Sequence, residues 1–273
     1  MADLHGKVIA ITGGGRGIGL ATARALIDAG ARVGIGDIDL DVATKAAADL
    51  GTSCAAFSLD VTDEASFAAF LDGVEGTYGP LDVLINNAGI MAVGEFAKEE
   101  DTATDAMIAI NLRGVLRGCR LVIPRMAQRN SGHLVNIASM AGKVGIPNLV
   151  TYSATKHAVV GLSDALRVEL QGTGIKVSTV MPNVVDTRLG AGAAKNVIKA
   201  LQPEDVAEAI LHVIATGKNE VTVPRWLMGL SAPAAGLPSR ARQWLQKLLG
   251  GNKTFTRHDA SARADYEDQL RGR

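Results

Sequence analysis

Tyr152 and Lys156, four residues apart in Tyr152-Ser-Ala-Thr-Lys156, would stack a phenol and an ammonium on one face of a helix. Tyrosine normally has a pKa of about 10, too high to exchange a proton near neutrality. A fall of roughly two to three units needs about 3–4 kcal/mol of differential interaction, and a fixed cation one helical turn away can supply much of it. Ser139 closes the run Asn136-Ile-Ala-Ser139, thirteen residues upstream of the tyrosine. Its hydroxyl is suited to holding the oxygen of a reacting alcohol or carbonyl. Taken alone, the Tyr152–Lys156 spacing also fits an ordinary exposed i,i+4 pair.

These residues need a scaffold, and short apolar runs alternating with longer helical patterns describe one. The pattern predicts strands at Lys7–Thr12, Ala31–Gly36, Cys54–Ser58, Val83–Asn86, Gly132–Ala138, Ile175–Val180 and Glu220–Val223. Helical patterns are strongest at Gly17–Ala29, Glu64–Thr77, Asp101–Arg129, Tyr152–Gln171 and Pro203–Ala215. Strands that are apolar throughout belong to a parallel sheet covered on both faces, an α/β architecture.

The 273 residues are 47% hydrophobic, enough for a substantial core in one domain. Twenty-eight basic residues balance 28 acidic ones, which gives nucleic-acid binding no support. Cys54 and Cys119 stand apart from any metal-ligand spacing, and the five histidines form no cluster, so no metal site is expected. Two buried thiols, no signal segment and no span-length apolar run lead to the expectation of a cytoplasmic protein.

Thr12-Gly-Gly-Gly-Arg-Gly-Ile-Gly19 joins the first strand to the first helix. Its glycines let backbone approach a pyrophosphate at a helix N-terminus, so Gly13, Arg16, Gly17, Ile18 and Gly19 are candidate cofactor contacts. Asp37 ends the second strand, where a carboxylate accepts from the adenosine ribose and repels a 2′-phosphate. Arg16 pulls the other way, since a guanidinium can pair with that phosphate. The charge nearest the ribose should decide, which selects NAD over NADP. Asp60-Val61 follows the third strand, with Asp60 either accepting from the adenine amino group or capping the helix before Glu64. Asn86-Asn87-Ala88-Gly89 follows the fourth, offering amides for strand-end backbone and small residues beside the nucleotide.

Together these landmarks, with Asn111, Pro182 and Thr187, resemble the short-chain dehydrogenase/reductase family over roughly residues 5 to 224. The resemblance implies a single-domain Rossmann fold with a seven-stranded parallel sheet in the order 3-2-1-4-5-6-7 and helices on both faces. It implies a catalytic tetrad of Asn111, Ser139, Tyr152 and Lys156. Tyr152 would exchange the proton with the substrate oxygen, Ser139 would polarise that oxygen, and Lys156 would hold the nicotinamide ribose. Asn111 would hold a water linking Lys156 to solvent. Thr187 would bond the nicotinamide carboxamide and Val185 would back its ring. The family usually has Pro-Gly where this chain has Pro182-Asn183. Asparagine tolerates a left-handed backbone, so two roles are open to it there: a glycine substitute, or an added polar contact to the substrate. Family members commonly pair their long helices, here Asp101–Arg129 and Tyr152–Gln171, so a homodimer or homotetramer is expected.

The expected division is a cofactor-binding and catalytic domain over 1–224 and a C-terminal extension over 225–273. Within that extension Ala241, Trp244, Leu245, Leu248 and Leu249 share one helical face, and Arg225 to His258 holds six basic residues and no acidic one. Such a segment can cover the substrate cleft, pack in an oligomer, or touch an anionic membrane through residues 225–253. The expected lid, Arg188 to Ala200, is small and mostly apolar, and Met140, Val144, Ile146, Leu149 and Met181 are further apolar candidates near the tetrad. The expected activity is therefore hydride transfer between NAD(H) and a hydrophobic secondary alcohol, ketone or aldehyde. The alternatives are a non-catalytic nucleotide-binding regulator and a peripheral membrane protein.

Overall fold

The computed structural model describes residues 3–190 and 200–227. One sheet holds β1 (Val8–Thr12), β2 (Arg32–Asp37), β3 (Cys54–Ser58), β4 (Val83–Asn86), β5 (Gly132–Ile137), β6 (Ile175–Pro182) and β7 (Glu220–Val223). Every adjacent pair is parallel, in the order β3-β2-β1-β4-β5-β6-β7. The chain winds one way from β1 to β3, then crosses back to lay β4 on the other side of β1. That reversal opens a crevice at the C-terminal edge of the sheet, the place where such folds take ligands.

The helices are α1 (Gly17–Asp28), α2 (Leu40–Leu50), α3 (Glu64–Tyr78), α4 (Asp101–Ile108), α5 (Val115–Ala127), α6 (Val150–Glu169) and α7 (Pro203–Thr216). Alternation along β1 shows why both faces are covered. Ile9 and Ile11 join Leu26, Ile35, Val206 and Ile210 in the core under α1 and α7. Val8 and Ala10 join Phe67, Phe70, Val122 and Val159 in the core under α3, α5 and α6. Both sides of the strand are dry, so it reads as a continuous apolar run rather than an alternating one. No helix among the described residues is long and apolar enough to cross a membrane.

Three elements differ from the sequence expectation. Helix α2, absent from the strong helical patterns, is held by small contacts, with Ala43, Ala46 and Ala47 buried and Asp39 capping its start through Val42 N–H. The expected helix Asp101–Arg129 is interrupted by a π-helical turn, Ala109–Gly114, which carries Asn111 inward. Such wide turns recur at functional positions in helices. Strand β6 runs two residues further than expected, to Pro182, because β7 continues to pair alongside it.

His133, in β5, is buried, and its Nε2 lies 2.8 Å from the Ser178 hydroxyl. Ser178 already donates to the Lys218 carbonyl, so the imidazole is the donor in this pair. Burial, helped by the nearby Lys176 charge, lowers the His133 pKa to about 4. The unfolded chain binds this proton near pH 6.5, so stability falls as the pH drops from there toward about 4. The expected loss is roughly 3 kcal/mol over that window. Denaturant titrations at pH 7 and pH 4.5 should show a smaller acid loss in His133→Gln than in wild type. Equal losses would contradict the assignment.

Candidate active site

A cleft of about 610 Å³ lies along the C-terminal edge of the sheet, lined by the turns that follow β1 to β6 and by α6. Gly13, Arg16, Gly17, Ile18 and Asp37 line one end, and Asp60, Val61, Asn87, Ala88 and Gly89 line its floor. Ser139, Tyr152, Lys156, Pro182, Val185 and Thr187 line the other end. Of the expected tetrad and cofactor contacts, Gly19 and Asn111 lie behind this surface rather than on it.

At the first end the β1–α1 turn is built for close approach. Gly17 opens α1 at φ +54, in the left-handed region. A Cβ on Gly19 would fall 2.2 Å from the Gly13 carbonyl oxygen, so the helix can start this close to the turn only with glycine there. The start of α1 has neither a side-chain cap nor an acidic residue in its first turn. Its free N–H groups and positive dipole end therefore meet the cleft uncompensated, as an anionic phosphate requires. The residues present fit a dinucleotide.

Asp37 is 9% exposed at the end of β2, with Oδ2 accepting from Gly15 N–H at 3.0 Å and Oδ1 from Asp39 N–H at 3.2 Å. The carboxylate is thus fixed to the glycine turn. Arg16, which raised the case for a 2′-phosphate, instead donates to Asp39 Oδ2 at 2.7 Å. Both partners are about two-fifths exposed, so the pair adds little stability. Its effect is to bring a second carboxylate to this end of the cleft and to offset the Arg16 guanidinium.

The turns after β3 and β4 are spoken for differently than the sequence suggested. Asp60 Oδ1 accepts from both the backbone N–H and the hydroxyl of Thr62, at 2.8 and 2.7 Å. It does not cap α3; Asp63 does, accepting from Ser66 N–H at 2.6 Å. Asn87 donates to the Thr12 and Gly13 carbonyls, both at 2.9 Å, and Thr12 Oγ1 accepts from Asn87 N–H and Ala88 N–H, both at 3.0 Å. Asn87 is a clip that binds the β4 turn to the glycine turn. Asn86 points into the core, donating to Asn136 Oδ1 at 2.9 Å, while Asn136 donates to Ser163 at 3.0 Å. The amide of Asn136, missed in the sequence, thus ties β4 and β5 to α6.

Tyr152 and Lys156 are not an exposed pair. They are 7% and 4% exposed, on the inward face of α6, with Lys156 Nζ 5.7 Å from the phenol ring centroid. Nζ donates to the Ile137 carbonyl at 2.9 Å. Burial lowers the Lys156 pKa to about 8. Ser139 sits just past β5, its Oγ accepting from Ala141 N–H at 3.1 Å and 3.5 Å from the Pro182 carbonyl. Asn111 is wholly buried in the π turn. Its amide accepts from Ile90 N–H and donates to the Ile90 carbonyl, both at 2.8 Å, with a further 3.3 Å contact to Thr155 Oγ1. It touches the β4 turn beside Lys156: a Cβ on Gly89 would lie 3.2 Å from Asn111 Oδ1 and 3.6 Å from Lys156 Nζ.

Beyond Tyr152 the walls are apolar. Ile90, Met91, Leu149 and Ala141 are buried together around the tyrosine, with Ile146, Val184 and Leu189 against them. Met140, Ile146 and Leu149 line the cleft as expected, whereas Val144 does not and Met181 is wholly buried in the core beneath the sheet. Strand alternation explains the last: Met181 and Pro182 are neighbours in β6 and face opposite ways. Thr187 packs over the glycine turn, its Cγ2 3.3 Å from where a Gly17 Cβ would stand. Most of the expected lid (191–199) and the extension from 228 onward lie outside the described residues.

The family model described as short chain dehydrogenase matches residues 7–197, which span the sheet from β1 through β6. The chain belongs to the short-chain dehydrogenase family. Its relatives include a 2-(S)-hydroxypropyl-CoM dehydrogenase of Xanthobacter autotrophicus, 36% identical over 238 residues that cover 80% of this chain and 93% of the relative. An uncharacterised oxidoreductase of Staphylococcus aureus is 35% identical, covering 82% of this chain and 99% of its own. Among solved structures, a 3-ketoacyl-(acyl-carrier-protein) reductase of Brucella melitensis complexed with NADH is 30% identical with a TM-score of 0.75, covering 81% of this chain and 99% of its own. A short chain dehydrogenase/reductase of Burkholderia phymatum in complex with NAD is 26% identical with a TM-score of 0.79, covering 93% of this chain and 98% of its own. This short-chain dehydrogenase is thus an oxidoreductase with the nicotinamide-nucleotide-binding Rossmann fold.

Proposed function

We propose that this short-chain dehydrogenase transfers hydride between NAD(H) and a hydrophobic secondary alcohol or ketone, with Tyr152 as general acid and base. One observation carries the reading: the phenol and the ammonium share the buried face of α6 and open, beside Ser139, into one apolar-ended cleft. The nicotinamide, when bound, donates or accepts the hydride. In reduction Tyr152 gives its proton to the substrate oxygen, and in oxidation it takes that proton back. Ser139 holds the oxygen against Tyr152. The Lys156 charge stabilises the phenolate left after proton transfer, and its ammonium reaches the nicotinamide ribose. Asn111 sets the Ile90 backbone and the π turn behind Lys156, and holds the water through which protons reach solvent.

NAD is the preferred cofactor in this reading, because Asp37 and Asp39 both stand at the ribose end and Asp39 occupies Arg16. A 2′-phosphate there meets two carboxylates, a like-charge contact that costs several kcal/mol. Fluorescence titration should show NADPH binding about 100-fold more weakly than NADH, and Asp37→Ser should narrow that gap at least tenfold. Tighter binding of NADPH to the wild-type protein would reverse the assignment. The chemistry belongs to residues 1–224, with 225–273 as an extension, and α4, α5 and α6 supply the surface for a dimer.

A further inference from the structure

Asn183 stands where a glycine substitute was one reading, and its backbone shows no need for one. Among the described residues the non-glycine positions with positive φ are Asn130 and Asn148, not Asn183. Its N–H donates to the Val223 carbonyl at 2.9 Å, extending the β6–β7 pairing by one residue, a role open to any amino acid but proline. The backbone therefore does not explain the asparagine. Asn183 lines the cleft, and its side chain finds no hydrogen-bond partner among the described residues. The preceding Pro182 carbonyl lies 3.5 Å from Ser139 Oγ. Backbone dimensions then place the Asn183 Cα no more than roughly 6.5 Å from that hydroxyl. The same cleft is lined by Ile90, Met91, Met140, Ile146 and Val184, with Arg188 also on its wall.

An uncommitted amide in a largely apolar cleft selects for a matching polar atom, because a ligand that buries the amide without pairing it loses binding. We propose that Asn183 is a specificity-determining residue. It hydrogen-bonds a second oxygen of the substrate, placed one or two carbons from the reacting carbon on an otherwise hydrophobic chain. The substrate class is thereby a dioxygenated compound, a keto- or hydroxy-carbonyl, rather than a simple alcohol. This rests on the oxidoreductase reading above.

Two ketones of equal length test it: octane-2,4-dione, which carries the second oxygen, and octan-2-one, which lacks it. The readout is the ratio of kcat/KM for the dione over that for the monoketone. General damage to packing lowers both values and leaves the ratio in place. The wild-type ratio should exceed the ratios of Asn183→Gly and Asn183→Leu by about fivefold to tenfold, the size expected of one neutral hydrogen bond. Asn183→Ser, which keeps a short hydroxyl, should fall between. Equal ratios in all four proteins would overturn the proposal. If the wild type reduces neither ketone, the proposed hydride transfer to hydrophobic ketones fails, and binding to the NADH-loaded protein decides the amide separately. The dione should then bind fivefold to tenfold tighter than octan-2-one to the wild type and equally to Asn183→Leu. Equal affinity for the wild type overturns the amide contact.

Discussion

Tyr152→Phe is expected to lower kcat/KM by about 10³-fold while NADH affinity changes by less than about threefold. The substitution removes one oxygen from a ring that stays in place, packed by Ile90, Met91 and Leu149. The hydrophobic contacts of the ring survive, so the fold and the cofactor end of the cleft should be intact. Proton transfer in the transition state contributes roughly 10² to 10⁴ in rate, and in the proposed mechanism Tyr152 is its one donor. Stopped-turnover assays with a hydrophobic ketone and a parallel NADH titration separate the two effects. Loss of NADH binding in step with activity would mean that the phenol positions the cofactor rather than moving the proton.

Lys156→Met should be equally severe for activity, yet should not unfold the protein. Lys156 is buried with its ammonium held by one carbonyl, and burial alone lowers its pKa to about 8. In the unfolded chain that pKa returns to about 10.4. Between those values the unfolded state binds more protons, so stability rises with pH across the window from about 8 to about 10. Below pH 8 both states carry the charge, and its burial costs roughly 3 kcal/mol. Methionine has a similar reach and removes that cost, at the loss of one hydrogen bond worth about 1 kcal/mol and an unpaired Ile137 carbonyl. Net stability at pH 7 should therefore change little or increase. The pH dependence is the sharper readout. Cys54 and Cys119, whose thiols burial raises to about 11 and about 12, act alike in both proteins and cancel in the difference. Wild type should gain roughly 2 kcal/mol on Lys156→Met between pH 8 and pH 10 in denaturant melts. Parallel curves would show that the ammonium is not buried in the free protein.

A buried lysine retained at such a cost fits a functional position, where stability is commonly given up for chemistry. The same holds for Asn111, wholly buried in a π turn when an ordinary α-helix would run straight through.

The layout of the sheet was legible because each strand is an apolar run closed by a turn whose residues are small or polar. Glycines after β1, Asp37 after β2 and Asn87 after β4 mark the same edge, and a parallel sheet puts all of them at one crevice. What the sequence left open is which way each side chain turns. Asp60 could reach a ligand or cap a helix by spacing, and in the fold Thr62 claims one of its oxygens while Asp63 does the capping. Arg16 looked free to meet a phosphate until Asp39 was found beside it. That partner could have been anticipated, since Asp39 follows Asp37 at the same sheet edge. The π turn could not, because a shifted backbone hydrogen bond leaves no side-chain period to read. Nor could the Asn86–Asn136–Ser163 network, whose members are 27 and 50 residues apart. Met181, an apolar candidate for the cleft by its place beside Pro182, falls on the core side because successive strand residues face opposite ways.

The most direct test is transfer of isotope. Purified protein is given NADH deuterated at either C4 position with a panel of medium-chain ketones and diones, and the alcohol formed is weighed by mass spectrometry. Deuterium from one of the two labelled forms should appear on the carbinol carbon with wild type, and with Tyr152→Phe the labelled alcohol should form about 10³-fold more slowly. If NADH binds tightly but no alcohol acquires the label, or if Tyr152→Phe transfers it at the wild-type rate, hydride transfer driven by this tyrosine is contradicted.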